Sequence, residues 1–229
     1  MVSRLNDLER VLELGLRVRV TEVDEDKIME IGDIVRRGGV IVYPTDTVYG
    51  IGGDPFREDI VRRVFQIKRR GDKEMPVLVS SLEKAMEIAE FDDRALTLAR
   101  LFWPGPLTLV LKMRGRFPYE LTAGRDKLGL RVPKNVIALK IIEASGGAII
   151  GTSANISGRP PPRSVDELDP VIENEVDLVV DGGRTELGVA STVVELISGE
   201  EDCSDGIKVI REGAIKAEDL IKAVRGVEP

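Results

Sequence analysis

The spacing of apolar residues along the chain switches between a period of about 3.6 and a period of about 2, which predicts alternating helices and strands. Helical spacing is clear at 26–37, where Ile28, Ile31 and Ile34 share a face and two glycines follow. Further helices are predicted at 3–14, 58–68, 92–102, 135–144 and 217–224, and capping boxes at 80–83 and 164–167 predict two more. Strands are predicted at 16–20, 40–43, 77–79, 107–112, 128–132, 148–150, 178–180, 192–196 and 207–210. This order predicts a mixed α/β protein.

Two of these strands, 107–112 and 128–132, follow each other with no predicted helix between them. Such a connection favours a mixed sheet over a purely parallel one. The one linker-like stretch, RPPPR at 159–163, is short and lies inside the pattern. We therefore predict a single domain with one twisted mixed sheet flanked by helices.

Composition adds constraints on location and partners. The chain is 42% hydrophobic and 32% charged, which is typical of a globular protein. No apolar run approaches the ~18 residues of a membrane helix, and the charged first residues lack the apolar core of a signal peptide. A cytoplasmic protein is therefore expected. The net charge of −7 argues against avid binding of nucleic acid but is compatible with a local basic patch.

The sequence contains no histidine. This excludes Ser-His-Asp and Cys-His catalysis, histidine general bases and histidine metal sites. The single cysteine, Cys203, is interpreted as an incidental surface thiol, and no protein metal site is expected. Chemistry must then use lysine, arginine, carboxylates, hydroxyls, backbone amides or a metal ion brought by a substrate.

Polar residues and glycines follow two predicted core strands. YPTDTVYGIGG at 43–53 contains the end of the strand 40–43, and GTSANISG at 151–158 follows the strand 148–150. Ligands of α/β proteins gather at strand ends, although each segment alone is also compatible with an ordinary turn. Neither a P-loop nor a dinucleotide-binding motif is present, and the serine of GTSAN has no histidine to activate it.

A basic run, Lys68-Arg69-Arg70, ends the predicted helix 58–68. The window 57–73 holds seven basic residues (57, 62, 63, 68, 69, 70, 73) against three acidic ones (58, 59, 72), in a chain of net charge −7. Cations at a helix C-terminus complement the helix dipole, which explains one or two of these charges. A phosphate site would explain the whole concentration. Arg131 and Arg211, taken singly, are interpreted as surface charges at strand ends.

Six motifs, in this order, together resemble the YrdC-type threonylcarbamoyl-AMP synthases. They are YPTDTVYG (43–50), Lys68 with Arg70, WPGPLT (103–108), RVP (131–133), TSANxSG (152–158) and STVV (191–194). The resemblance covers about residues 25–215. It divides the chain into an N-terminal extension (1–24), a YrdC-like domain (25–215) and a C-terminal helix and tail (216–229).

The resemblance implies an α/β fold with a concave basic substrate face. It implies that L-threonine, bicarbonate and ATP, with Mg²⁺ carried by the nucleotide, give threonylcarbamoyl-AMP, pyrophosphate and water. A downstream threonylcarbamoyl transferase complex would then modify the adenosine beside the tRNA anticodon. By motif, Thr47, Arg131, Ser153 and Ser191 are implied threonine contacts, with Arg131 suited to the carboxylate. Lys68, Arg70, Asn155 and Arg211 are implied nucleotide contacts, and Lys68 and Arg70 are the implied catalytic pair.

The sequence departs from the family pattern at three places. Gly71 occupies a position that is often proline, Ala190 one that is often acidic, and PPR at 161–163 one that usually bears Ser or Thr. Two alternatives stay open. One is a module that binds double-stranded RNA without catalysis, and a weak contact of the enzyme itself with tRNA or double-stranded RNA also stays open. The other is a relative that transfers a carbamoyl group from another donor.

Overall fold

The computed structural model describes residues 17–20, 24–69, 71, 74–197 and 206–225. Its strands are β1 (Arg17–Arg19), β2 (Ile41–Tyr43), β3 (Gly50–Gly52), β4 (Val77–Val79), β5 (Leu107–Lys112), β6 (Lys127–Arg131), β7 (Ala148–Ile150), β8 (Thr152–Ser153), β9 (Leu178–Asp181), β10 (Thr192–Leu196) and β11 (Ile207–Arg211). Its helices are α1 (Glu25–Arg36), α2 (Glu58–Lys68), α3 (Leu82–Ile88), α4 (Asp93–Phe102), α5 (Tyr119–Thr122), α6 (Val136–Ala144), α7 (Pro170–Glu175) and α8 (Ala217–Arg225). The predicted helix 3–14 and Cys203 lie outside the described residues.

The strands form two mixed sheets. The five-stranded sheet has the order β1-β9-β2-β3-β8, in which β9 runs parallel to both β1 and β2. The six-stranded sheet has the order β11-β10-β5-β6-β4-β7, in which β5 and β6 are antiparallel. The predicted α/β class and mixed pairing are confirmed. The strands divide into two sheets, where the sequence predicted one.

The two sheets meet where β3 contacts β7, and a glycine permits this contact. A Cβ on Gly52 would lie only 1.8 Å from the carbonyl oxygen of Ile150. The next residue, Gly53, accepts a hydrogen bond from the amide of Ile150 at 2.9 Å. Strand β3 lies inside a segment that the sequence predicted to be a loop, because glycines carry no apolar alternation.

Most predicted helices are confirmed within a residue or two, with N-caps at Asp24, Asp92 and Asn135. The capping box predicted at 80–83 is wrong by one residue, since Ser81 is the cap and accepts from the amide of Lys84. The capped helix predicted at 164–167 is also wrong. That segment is one 3₁₀ turn, and α7 begins only at Pro170, where proline fits the first helical position. A single turn, α5, separates β5 from β6.

The core surrounds the five-stranded sheet on both faces. Alternate residues of β2 point into different clusters: Val42 packs with α2, and Tyr43 packs with α1 and α6. Because β2 is buried on both faces, its sequence is continuously apolar and does not alternate with polar residues. Among the described residues, none of the helices has the length and apolar character to cross a membrane.

Candidate active site

A cavity of about 600 Å³ opens on one face of the six-stranded sheet. Five predicted site residues line it: Thr47, Arg131, Ser153, Ser191 and Arg211. They come from the loop after β2, the end of β6, β8, the residue before β10 and the end of β11. Segments separated by more than a hundred residues in sequence therefore converge on one space.

Arg131 is held rigidly at one end of this cavity. Its Nε donates to the carbonyl of Gly105 at 2.9 Å, its Nη1 to Thr47 Oγ1 at 3.0 Å, and its Nη2 to Asp46 Oδ1. Arg131 is 5% exposed and Asp46 3%. Burial lowers the pKa of the Arg131 guanidinium, and Asp46 opposes that shift. Arginine nevertheless stays protonated at neutral pH, so the cavity end presents a fixed cation suited to a carboxylate.

Asp46 fixes more than the guanidinium. Its Oδ1 also accepts from the backbone amide of Lys134 at 3.0 Å, and its carbonyl accepts from the amide of Leu187 at 2.9 Å. Its Oδ2 is buried, with no hydrogen-bond partner among the described residues. Through its carboxylate and its backbone carbonyl, Asp46 thus ties together the loop after β2, the end of β6 and the segment that precedes β10.

The hydroxyl of Thr47 presents a lone pair to the cavity. Thr45 Oγ1 donates to the carbonyl of Val48 at 2.7 Å, so in its 2.9 Å contact with Thr47 Oγ1 it must accept. Thr47 Oγ1 therefore donates a hydrogen bond to Thr45 Oγ1 and accepts one from Arg131 Nη1. The acceptor capacity that remains on Thr47 suits an amine or hydroxyl donor of a ligand.

Ser153, like Thr47, donates its hydroxyl proton to a neighbouring side chain. Its Oγ donates to Asn155 Oδ1, so its lone pairs face the cavity. The amide group of Asn155 is held in turn by the carbonyls of Ile156 and Arg159, at 3.1 and 2.6 Å. Asn155 is not among the residues that line the cavity and contacts it through Ser153.

Lys68 lies behind the same loop. It is 1% exposed, and its Nζ donates to the carbonyls of Ser153 and Asn155, the latter at 2.8 Å. Its own carbonyl accepts from the amide of Ser157 at 3.0 Å. Lys68 therefore does not line the cavity in this conformation. Its predicted partner Arg70 lies outside the described residues.

Ser191 and Arg211 line the cavity together. Arg211 Nη2 donates to the carbonyl of Ser191 at 2.8 Å and to its Oγ at 3.2 Å. Thr108 Oγ1 lies 2.9 Å from the same Oγ. Burial lowers the pKa of Arg211 as well. Both arginines line the cavity. The interpretation as a surface charge is wrong for Arg131, which is buried, whereas Arg211 is exposed as that interpretation predicted.

The cavity also contains residues that the sequence analysis did not assign. They are Thr108, Arg125 and Lys127, together with Glu74. Thr108 lies inside the quoted WPGPLT motif, and Lys127 precedes Arg131 by four positions, so a period of two places both on one face of β6. Among the described residues that line the cavity, four are cationic and Glu74 is the one carboxylate.

Comparison with known proteins decides the family. The Sua5/YciO/YrdC profile, described as Telomere recombination, matches residues 33–213. The chain belongs to this family.

Curated relatives of this Sua5/YciO/YrdC chain are named threonylcarbamoyl-AMP synthase. The threonylcarbamoyl-AMP synthase of Pyrococcus abyssi is 36% identical over 88% of this chain, and that of Bacillus subtilis is 32% identical over 89%. This chain spans 58% of the length of both relatives. A putative threonylcarbamoyl-AMP synthase of Methanocaldococcus jannaschii is 33% identical and is covered over its whole length, with 91% of this chain.

Solved structures confirm the fold expected of a family member. P. abyssi Sua5 complexed with L-threonine matches with a TM-score of 0.81 and 36% identity, over 91% of this chain and 60% of that chain. E. coli YciO matches with a TM-score of 0.77 and 29% identity, over 90% of this chain and 98% of its own. The resemblance that the six motifs indicated is therefore confirmed.

Proposed function

We propose that the protein is a threonylcarbamoyl-AMP synthase, a nucleotidyltransferase that forms threonylcarbamoyl-AMP and pyrophosphate from L-threonine, bicarbonate and ATP. One observation supports this above all: a buried, fixed arginine and hydroxyls with outward lone pairs share one cavity, in a chain related to a Sua5 complexed with L-threonine. The arrangement offers a cation for a carboxylate and acceptors for an amine.

In this proposal the carboxylate of threonine binds Arg131, and its amine faces the oxygens of Thr47 and Ser153. The amine adds to bicarbonate and releases water, which leaves a carbamate. A carbamate oxygen then attacks the α-phosphorus of ATP, and the bond to the bridging oxygen of pyrophosphate breaks. Such a displacement depends on positioning and charge neutralisation, which suits a chain without histidine.

The nucleotide contacts remain those that the family motifs imply: Lys68, Arg70, Asn155 and Arg211. Lys68 reaches a phosphate only by exchanging its carbonyl partners on Ser153 and Asn155 for phosphate oxygens. Among the described residues, no group of three or more Cys, Asp or Glu side chains could hold a metal ion. In the proposal, Mg²⁺ enters as part of the nucleotide substrate.

The product is a reactive acyl-phosphate anhydride, so it needs an acceptor close at hand. We propose that a tRNA-modifying threonylcarbamoyl transferase complex consumes it in the cytoplasm.

The test is to incubate the purified protein with ATP, L-threonine and bicarbonate and to detect threonylcarbamoyl-AMP by mass spectrometry and pyrophosphate by a coupled assay. Omission of bicarbonate or threonine should abolish both products. Ser191→Ala should lower the yield, and Ser145→Ala, outside the cavity, should not. A folded wild-type protein that yields no adenylate would overturn the proposal.

A further inference from the structure

Three aromatic side chains form one patch on the surface beside α2. Phe56 stacks on Phe117, with ring centroids 5.1 Å apart and planes inclined by 28°, and Tyr119 follows two residues later. The sequence has five Phe, three Tyr and one Trp, so a third of its aromatic residues lie in this one place. We call Phe56, Phe117 and Tyr119 the aromatic patch.

The rings of the aromatic patch are exposed and yet held in place. Phe56 is 52% exposed and Tyr119 73%, which at ~200 Å² for an aromatic side chain leaves roughly 250 Å² of their surface in water. Phe117 is partly buried and packs against the main core, so it anchors Phe56. The ring of Tyr119 lies over Gly124, where a Cβ would be 2.5 Å from its Cε2. Side chains fixed in this way lose little entropy when a partner covers them.

The charges around the aromatic patch balance. The segments 54–62 and 114–120 carry four arginines (57, 62, 114 and 116) and four carboxylates (54, 58, 59 and 120). RNA or an anionic membrane would favour an excess of cations. Aromatic residues and arginine are enriched at interfaces between proteins, so the patch fits a protein partner better.

These charges are unevenly paired within the chain. Arg62 serves two carboxylates, since it forms ion pairs with both Glu58 and Glu120. Arg116, next to Phe117, makes no ion pair or hydrogen bond with any residue that the structure describes. The surface thus offers a carboxylate in excess and a cation without a partner. A second copy of the same surface, related by a two-fold axis, can match each to the other.

We propose that the chain forms a two-fold symmetric dimer through the aromatic patch. The rings of the two copies pack together, and Arg116 of each copy faces Glu58 of the other. A standard interface buries ~800 Å² per partner, so the roughly 250 Å² of ring surface supplies an apolar centre of about a third, and the charged residues supply the rim. This inference does not depend on the proposed function.

Sedimentation velocity over a wide range of protein concentrations tests the dimer. It compares wild type with Tyr119→Ser, Phe56→Ser and the control Leu101→Ser, whose side chain is 62% exposed on α4, outside the patch. The charge pairing is tested with Arg116→Glu, with Glu58→Arg, and with an equimolar mixture of these two variants. Melting temperatures verify that each variant is folded. Tyr119 is the more exposed ring, so its variant tests the patch even where loss of the Phe56 stack lowers stability.

We expect wild type to reach the mass of two chains and each patch variant to raise the dimer Kd by about thirtyfold or more, as truncation of a central aromatic residue does. Leu101→Ser should dimerise like wild type. Arg116→Glu and Glu58→Arg should each associate weakly, and their mixture should form a heterodimer, because the two substitutions exchange the charges of one pair. A mixture that associates no better than its components overturns the charge pairing. A wild type that stays monomeric at every concentration, or a Tyr119→Ser variant that dimerises like wild type, overturns the proposal, whether or not the protein makes the adenylate.

Discussion

Replacement of Asp46 by asparagine tests whether this carboxylate holds Arg131 for the substrate. The substitution keeps the size of the side chain and an oxygen that can accept from Lys134 and Arg131, and it removes only the charge. Both members of the pair are buried, with side chains 6% and 2% exposed for Arg131 and Asp46. The variant therefore leaves a buried guanidinium without its counter-charge.

The expected cost follows from this burial. Removal of one partner from a buried ion pair typically costs about 3–5 kcal/mol, and the retained hydrogen bonds of asparagine favour the lower end. About 3 kcal/mol corresponds to a fall in melting temperature of about 6–12 °C for a chain of this size. Threonine affinity should fall as well, because the guanidinium loses the group that orients it.

Thermal unfolding and calorimetric titration with L-threonine measure the two effects. Asp33→Asn is the matched control, since Asp33 pairs with Arg36 on the surface with both side chains 42% exposed, where such pairs contribute at most about 1 kcal/mol. An Asp46→Leu/Arg131→Met double variant should recover stability but not threonine binding, because an apolar pair can replace a buried ion pair. An Asp46→Asn protein that melts within about 2 °C of wild type would refute the reasoning.

Two further outcomes follow from the structure. Gly52→Ala should destabilise the protein by about 3 kcal/mol or more in urea unfolding, because the new methyl group would lie 1.8 Å from the carbonyl oxygen of Ile150. The control Gly71→Ala should be nearly neutral, because nothing lies within 4 Å of the added Cβ. Equal effects of the two substitutions would contradict the close approach of the sheets. Burial raises the pKa of Tyr49 to about 12, so the folded state holds this proton more tightly than the unfolded chain, whose tyrosine pKa is about 10. The stabilisation is complete below pH of about 10 and is lost as pH rises toward about 12. Tyr49→Phe should therefore show a shallower loss of unfolding free energy across that interval, and an unchanged slope would count against the assignment.

Much of the fold could be predicted because buried strands and amphipathic helices have strong periodic patterns. The strands at 77–79, 107–112 and 192–196 agree with the structure at both ends. Strand β3 was not predicted because its two glycines have no side chain and so show no apolar alternation. Strand β8 was not predicted because two residues are too few to show a periodic pattern. The division into two sheets depends on these short strands, so it could not be predicted either.

The candidate site was predicted through motifs, and the structure brings five of the eight predicted residues to one cavity. The separate effects of single residues were harder to foresee. Lys68 was predicted to be a nucleotide contact at a helix end, yet its buried ammonium bonds to carbonyls of a loop some 85 residues away in sequence. The hydroxyls of Thr47 and Ser153 bond to residues only two positions away, Thr45 and Asn155, but the sequence does not show the loop conformation that brings each pair together.

The position of β9 has a consequence for how the chain acquires its structure during synthesis. This strand lies between β1 and β2, yet it is made last of the three. At ~5–20 residues per second, the ribosome needs on the order of ten seconds to pass from β2 to β9. Through that interval β1 and the β9-facing edge of β2 lack their native hydrogen-bond partner, and unpaired strand edges invite aggregation. We expect nascent chains that stop short of residue 181 to depend on chaperones, and full-length chains to be released from them once β9 is in place.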